Sequence, residues 1–209
     1  MKVVLVHGLT ASTEWWEATI AALRPRHDVH VVRLPQVRIR EAAGWLAERL
    51  EGEDLQGAAV VAHSSGGAIA VLAAAAAQDA IGRLVLLAPA GIFLSRSRLS
   101  YARPLAVQVL RAPRRLPLMI RDSLRVGPIR LSRVAFDLLT VDVAPVLPEV
   151  SVPTLVVWGA DDPLLPPVLG QVFAEQMPDA RLTILPDCGH IPMLESPDAL
   201  HRELLGFLG

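Results

Sequence analysis

Val60-Val61-Ala62-His63-Ser64-Ser65-Gly66-Gly67 is an apolar run that stops abruptly at a serine between small residues and passes into an alanine-rich stretch at 68–77. A nucleophile mounted on a tight strand-to-helix reversal leaves this trace. The turn crowds the backbone two positions either side of the serine, so Ala62 and Gly66 must be small for the hydroxyl to project at the sheet edge. The pattern is G-x-S-x-G with Ala62 at the first glycine, which keeps the steric requirement. Read alone, Ser64 is equally a helix cap, so the rest of the chain has to decide.

Short apolar runs rich in Val, Leu and Ile lie at 3–6, 29–32, 58–62, 84–87, 154–158 and 182–185. Stretches with helical spacing lie at 15–23, 41–50, 68–77, 168–177 and 199–208. Strands alternating with helices predict an α/β fold, a mostly parallel sheet of about six strands with helices on both faces. Thr13 ahead of the first helix, Pro25 behind it and Ser196-Pro197 at the start of the last supply caps and stops. The alternation fails from 91 to 146, where Pro104, Pro113, Pro117 and Pro128 interrupt an apolar, arginine-rich segment. A structureless loop of that length is improbable in a compact domain. The segment therefore reads as a small helical cap inserted after the fourth strand, with 1–90 and 147–209 forming the core.

The 209 residues suit one such domain. Hydrophobic residues make up 52%, yet no apolar run is long enough to span a bilayer. The start, Met1-Lys2-Val3-Val4-Leu5-Val6-His7-Gly8, reads as a first core strand rather than a secretory leader, so a cytoplasmic location is expected. Cys188 is the only cysteine, which rules out an internal disulfide and reads as buried filler. None of the six histidines forms an H-x-x-x-H pair beside a carboxylate, so no metal site is expected. Net charge is −1 overall, but 91–146 holds ten arginines against Asp122, Asp137 and Asp142, a local +7 that leaves −8 for the remainder. A single lysine in the whole chain makes arginine bias the plain explanation.

A serine hydroxyl is a weak nucleophile near neutral pH and needs a base that is itself oriented by a third group. Val156-Val157-Trp158-Gly159-Ala160-Asp161-Asp162-Pro163 ends one strand in two carboxylates, and Pro186-Asp187-Cys188-Gly189-His190-Ile191-Pro192 ends the next in a histidine. Both fall at carboxyl ends of parallel strands, where loops converge. Donors for an oxyanion come from the amide of Leu9, in the loop that Gly8 lets approach closely, and from the Ser65 amide at the positive end of the following helix.

Together His7-Gly8, the elbow, Trp158-Gly159-Ala160-Asp161-Asp162-Pro163, Gly189-His190-Ile191-Pro192 and Glu195-Ser196-Pro197 resemble the α/β-hydrolase superfamily, in its small serine-esterase-like branch, from end to end and in order. The resemblance implies a Ser64 nucleophile, an Asp162 acid, a His190 base and an oxyanion hole from the Leu9 and Ser65 amides. Asp162 is preferred because the family places its acid directly before the proline, with Asp161 second. The resemblance equates 3–6 with the family's third strand, which implies a shortened sheet whose exposed edge is either covered in a homodimer or left short.

The implied activity is hydrolysis of a carboxylic ester or thioester through an acyl-enzyme, without a cofactor. Serine at position 64 disfavours the aspartate-nucleophile relatives, epoxide hydrolases and dehalogenases. Tyr101, Leu105, Val109, Leu110, Leu116, Met119, Ile120, Phe136 and Leu139 are candidates for an apolar acyl pocket or for packing within the cap. Arg111, Arg114, Arg115 and Arg121, if gathered at the mouth, favour an anionic substrate or an acidic partner such as acyl carrier protein or coenzyme A. A basic apolar cap on an anionic membrane surface is a weaker reading. A small-molecule receptor on the same fold is the competing class, and nucleic-acid binding is not expected.

Overall fold

A computed structural model describes residues 1–8, 11–35, 37–52, 55–92, 116–127, 132, 136–138 and 140–209, with the Leu116 side chain left out. Six strands, β1 (Lys2–Val6), β2 (Asp28–Val32), β3 (Ala58–His63), β4 (Ile81–Leu87), β5 (Thr154–Gly159) and β6 (Ala180–Leu185), pair in the order β2-β1-β3-β4-β5-β6. Every pairing is parallel. The central strands β3 and β5 are buried along their whole length because helices cover both faces, which is why they read as continuous apolar runs rather than alternating ones. Their alternation survives in where the side chains go. Val4, Val6, Val60, Ala62, Val156 and Trp158 enter one core, while Val3, Leu5, Ala59, Val61, Leu155 and Val157 enter the other.

The first core is closed by α2 (Ile39–Gly52), α3 (Ser65–Ala76) and α5 (Val168–Gln176), the second by α1 (Glu17–Leu23) and α7 (Pro197–Leu208). Between β6 and α7 lies one short turn, α6 (Pro192–Glu195). The chain passes from β1 outward to β2 and then returns across β1 to β3, so strand order reverses at the β1/β3 boundary. Loops leaving these two strands diverge there and open a crevice at their carboxyl ends. Gly8 and Ser64 stand at that crevice.

The helix expected over 15–23 is two elements. Thr13–Trp16 is a tighter 3-10 turn that buries both Trp15 and Trp16, and only then does α1 begin. Helix α3 starts at Ser65 rather than 68, because Gly66 and Gly67 form its first turn instead of a loop. In the arginine-rich segment, α4 (Leu116–Val126) is the long described helix, and Pro117 does not break it. Proline in the first turn costs no intrahelical hydrogen bond. Its Leu118 and Met119 pack against the second core. Val141 and Val143 already belong to the first core, and the Val143 N–H donates to Gly91 O at 3.0 Å. Among the described residues no helix is long and apolar enough to cross a membrane.

Candidate active site

Strand β3 delivers Ser64 to the end of the sheet with φ 54° and ψ −120°, a conformation that L residues with a Cβ rarely adopt. Neighbours hold it there. The Ser64 N–H donates to Leu87 O at 3.0 Å, and the Ser64 carbonyl accepts the N–H groups of Gly67 at 2.9 Å and Ala90 at 3.0 Å. A Cβ on Gly66 would lie 2.5 Å from His7 O and 2.9 Å from Val6 O, so only glycine lets the first turn of α3 rest against β1. Ser65 is the first residue of α3, and its amide is one of the N-terminal groups that an α-helix leaves without an intrahelical acceptor. Leu9 lies outside the described residues.

The loop after β6 carries His190, with Nε2 3.1 Å from Ser64 Oγ and Nδ1 2.7 Å from Asp162 Oδ2. A carboxylate only accepts, so Nδ1 bears a proton, and in the neutral ring the lone pair is then on Nε2, facing the serine. Oδ1 of Asp162 accepts the N–H groups of Leu164 at 2.8 Å and Leu165 at 3.0 Å, so both oxygens of this buried side chain are committed. Asp161, by contrast, is exposed, and its N–H donates to Cys188 O at 2.9 Å. Gly159 makes this closeness of the two loops feasible, since a Cβ there would fall 2.1 Å from Gly189 O.

Two further side chains hold the same loop, and nothing in the sequence pattern singled out either for this. Glu195 accepts the N–H of Gly189 through Oε2 and the N–H of Ile191 through Oε1, each at 2.9 Å. His63 donates from Nε2 to the His190 carbonyl at 2.9 Å. Burial and then the nearby His190 push the His63 imidazole down to about 3, so it is neutral at physiological pH. Burial also lowers His7, whose Nδ1 lies 2.7 Å from Gly8 O. Cys188 is buried beside the loop, and burial raises its thiol to about 11.

A cleft of about 1370 Å³ runs outward from His7, Gly8 and Ser65 past Ile39 and Val126 to Phe136. Of the apolar residues expected to line it, Phe136 does, Met119 packs on the core instead, and Ile120 faces solvent. Tyr101, Leu105, Val109, Leu110 and Leu139 lie outside the described residues, as do Arg111, Arg114, Arg115 and the Leu116 side chain. Arg121 is engaged rather than presented at a mouth. Its Nη2 meets Glu14 Oε2 at 2.9 Å and Asp122 Oδ1 at 3.0 Å. Buried Asp122 also accepts the Trp15 indole N–H at 3.0 Å, which fastens α4 to the turn that follows the β1 loop. Among the described residues, the arginines that line the cleft are Arg33, Arg38 and Arg125. Arg125 belongs to the basic segment, but spacing could not have indicated Arg33 and Arg38, which sit between β2 and α2, far in sequence from it.

Comparison with known proteins agrees with this architecture. Residues 3–203 match the model of the alpha/beta hydrolase family. Pimeloyl-[acyl-carrier protein] methyl ester esterase of Nitrosomonas europaea is 25% identical over 232 aligned positions, covering 93% of this chain and 90% of that protein. The 2-hydroxy-6-oxo-6-phenylhexa-2,4-dienoate hydrolase of Burkholderia cepacia is 45% identical over 67 residues, a stretch that is 32% of this chain and only 23% of that enzyme. Among solved structures, the enol-lactonase of Burkholderia xenovorans LB400 superposes with a TM-score of 0.78 at 22% identity, over 99% of this chain and 90% of that one. The chain belongs to the alpha/beta hydrolase family.

Proposed function

We propose that this protein is a serine hydrolase that cleaves a carboxylic ester or thioester through an acyl-enzyme. The observation that carries the reading is the continuous relay of Asp162, His190 and Ser64, with its two contacts of 2.7 and 3.1 Å. His190 Nε2 takes the Ser64 proton as Oγ attacks the carbonyl carbon, and Asp162 holds the ring so that the lone pair faces the hydroxyl. The tetrahedral oxyanion receives hydrogen bonds from the Ser65 amide and, on the family resemblance, from the Leu9 amide. Each such donor contributes about a hundredfold to a thousandfold in rate. His190 then protonates the departing alcohol or thiol. Water, deprotonated by the same nitrogen, releases the acid and restores Ser64. The segment 91–146 acts as the cover of the cleft, a role supported by Val126 and Phe136 in its wall.

Steady-state hydrolysis of p-nitrophenyl esters of graded chain length tests this. Ser64→Ala abolishes turnover on this account, His190→Ala leaves a residual rate lower by roughly 10⁶, and Asp162→Asn lowers kcat by roughly 10³–10⁴ by favouring the wrong imidazole tautomer. A wild type that binds acyl ligands without turning them over supports the receptor reading instead.

Arg33 and Arg38 on the cleft wall favour a substrate with an anionic group remote from the scissile bond, including one on an acidic carrier. Of the four acidic residues among the described wall residues, Glu14 is paired with Arg121, Asp122 with Arg121 and Trp15, and Asp137 with the Ile39 N–H, while Glu41 is exposed. Because both arginines are exposed, an Arg33→Gln, Arg38→Gln pair raises KM for a monoester of a dicarboxylic acid only about threefold to tenfold. Added salt reduces that difference. Equal KM for charged and neutral esters at low salt contradicts this preference.

A further inference from the structure

The loop between β6 and α6 has no regular structure of its own, yet it must hold one imidazole to a fraction of an ångström. Asp162 fixes only the Nδ1 end of that ring. What fixes the main chain beneath it is a set of three contacts around a single residue. Glu195 takes the amide before His190 and the amide after it on separate carboxylate oxygens, and His63 takes the carbonyl of His190 itself. We propose that Glu195 and His63 are positioning residues, a three-point grip on the His190 backbone that aims Nε2 at Ser64.

Several features of the site are arranged for this grip. A Cβ on Gly189 would lie 2.5 Å from Glu195 Oε2, so the glycine before His190 leaves the space that the carboxylate occupies. The two amide bonds to Glu195 involve a carboxylate and are about twice as strong as neutral ones. His63 immediately precedes the nucleophile on β3. Its bond therefore ties the serine's own strand to the base, and the distance between Ser64 and His190 is set by a direct strut rather than through the whole sheet. Since a carbonyl only accepts, the strut requires the Nε2–H form of His63.

The grip acts through His190 and rests on the acyl-enzyme reading. Burst-phase acylation by p-nitrophenyl acetate therefore separates the two. In Glu195→Gln one amide faces an –NH2 in place of an acceptor, and the acylation rate falls about 10- to 100-fold with the substrate dissociation constant unchanged, as for a catalytic group displaced by up to an ångström. In the His190→Ala background, followed as the slow residual acylation of Ser64, the same change costs nothing further, because no imidazole remains to be aimed. General loosening of the site would instead multiply the two losses. On the other arm, His63→Gln keeps an N–H for the carbonyl and stays within about threefold of wild type, whereas His63→Ala loses tenfold or more. These two variants decide the matter if Glu195→Gln does not fold. A wild type without any burst overturns the acyl-enzyme reading and the grip with it. A wild-type burst together with unchanged rates in folded Glu195→Gln, multiplicative losses, or equal rates for the two His63 variants overturns the grip alone.

Discussion

Replacing Ser64 by glycine is expected to give a more stable protein than replacing it by alanine, although neither has the nucleophile. Both changes remove the hydroxyl and its contact with His190 Nε2, so that loss cancels in the comparison. What remains is the backbone at φ 54° and ψ −120°. A residue with a Cβ in such a sparsely populated region costs about 1–3 kcal/mol, which glycine avoids. Against this, glycine loses about 0.5–1 kcal/mol more chain entropy on folding. The balance favours Ser64→Gly by about 1 kcal/mol, or roughly 2–4 °C in melting temperature for a chain of this size. Ala74→Gly supplies the opposite sign, since Ala74 is buried in the ordinary helical geometry of α3 and there the exchange only destabilises. Thermal unfolding followed by circular dichroism reads all three. A Ser64→Gly protein that melts at or below Ser64→Ala would refute the claim that the elbow trades stability for the placement of its hydroxyl.

Gly66→Ala brings a methyl against backbone atoms of His7 and Val6 that cannot yield, and should cost about 1–3 kcal/mol, while Gly44→Ala in the middle of α2 meets nothing within 4 Å and should stabilise by about 0.5–1 kcal/mol; denaturant melts give both. For His63 the unfolded imidazole titrates near 6.5 and the folded one near 3, so the unfolded chain binds more protons between those values. Stability therefore rises with pH across that window and drains as pH falls from 6.5 towards 3, by up to about 1.4 kcal/mol per pH unit from this residue. His7, His27 and His201 are lowered as well and add the same sign, so the readout is the shallower acid slope of His63→Gln against wild type. Cys188, buried and raised to about 11, should resist iodoacetamide at pH 8 until the protein is unfolded; fast native labelling would contradict its placement.

The sheet was readable because its inner strands are buried on both faces and leave short apolar runs such as Val3–Val6 between stretches of helical period. The meeting of Ser64, Asp162 and His190 at one rim was readable because each follows its own strand and parallel strands bring their carboxyl ends together. Contacts made by single side chains across long separations left no periodic mark. The Trp15 to Asp122 bond spans 107 positions and the His63 to His190 bond 127, and neither residue type at either end demands the other. Arg121 illustrates the converse: the sequence offered it only as a conditional member of a basic mouth with Arg111, Arg114 and Arg115, and a buried Asp122 one residue away and Glu14 across the chain claim its guanidinium. Glu195 was visible only as part of a motif. Its acceptors converge on Gly189 and Ile191 once the turn of α6 folds back over the loop, a geometry that linear spacing of six and four residues does not reveal.

The central claim is that Ser64 is made nucleophilic by His190. The most direct measurement is peptide mapping by mass spectrometry after treatment of the native protein with a fluorophosphonate. This account predicts one adduct per chain, located on Ser64, and its loss when His190 is replaced by alanine. An adduct on another residue, or an unmodified Ser64 in folded wild-type protein, would contradict it.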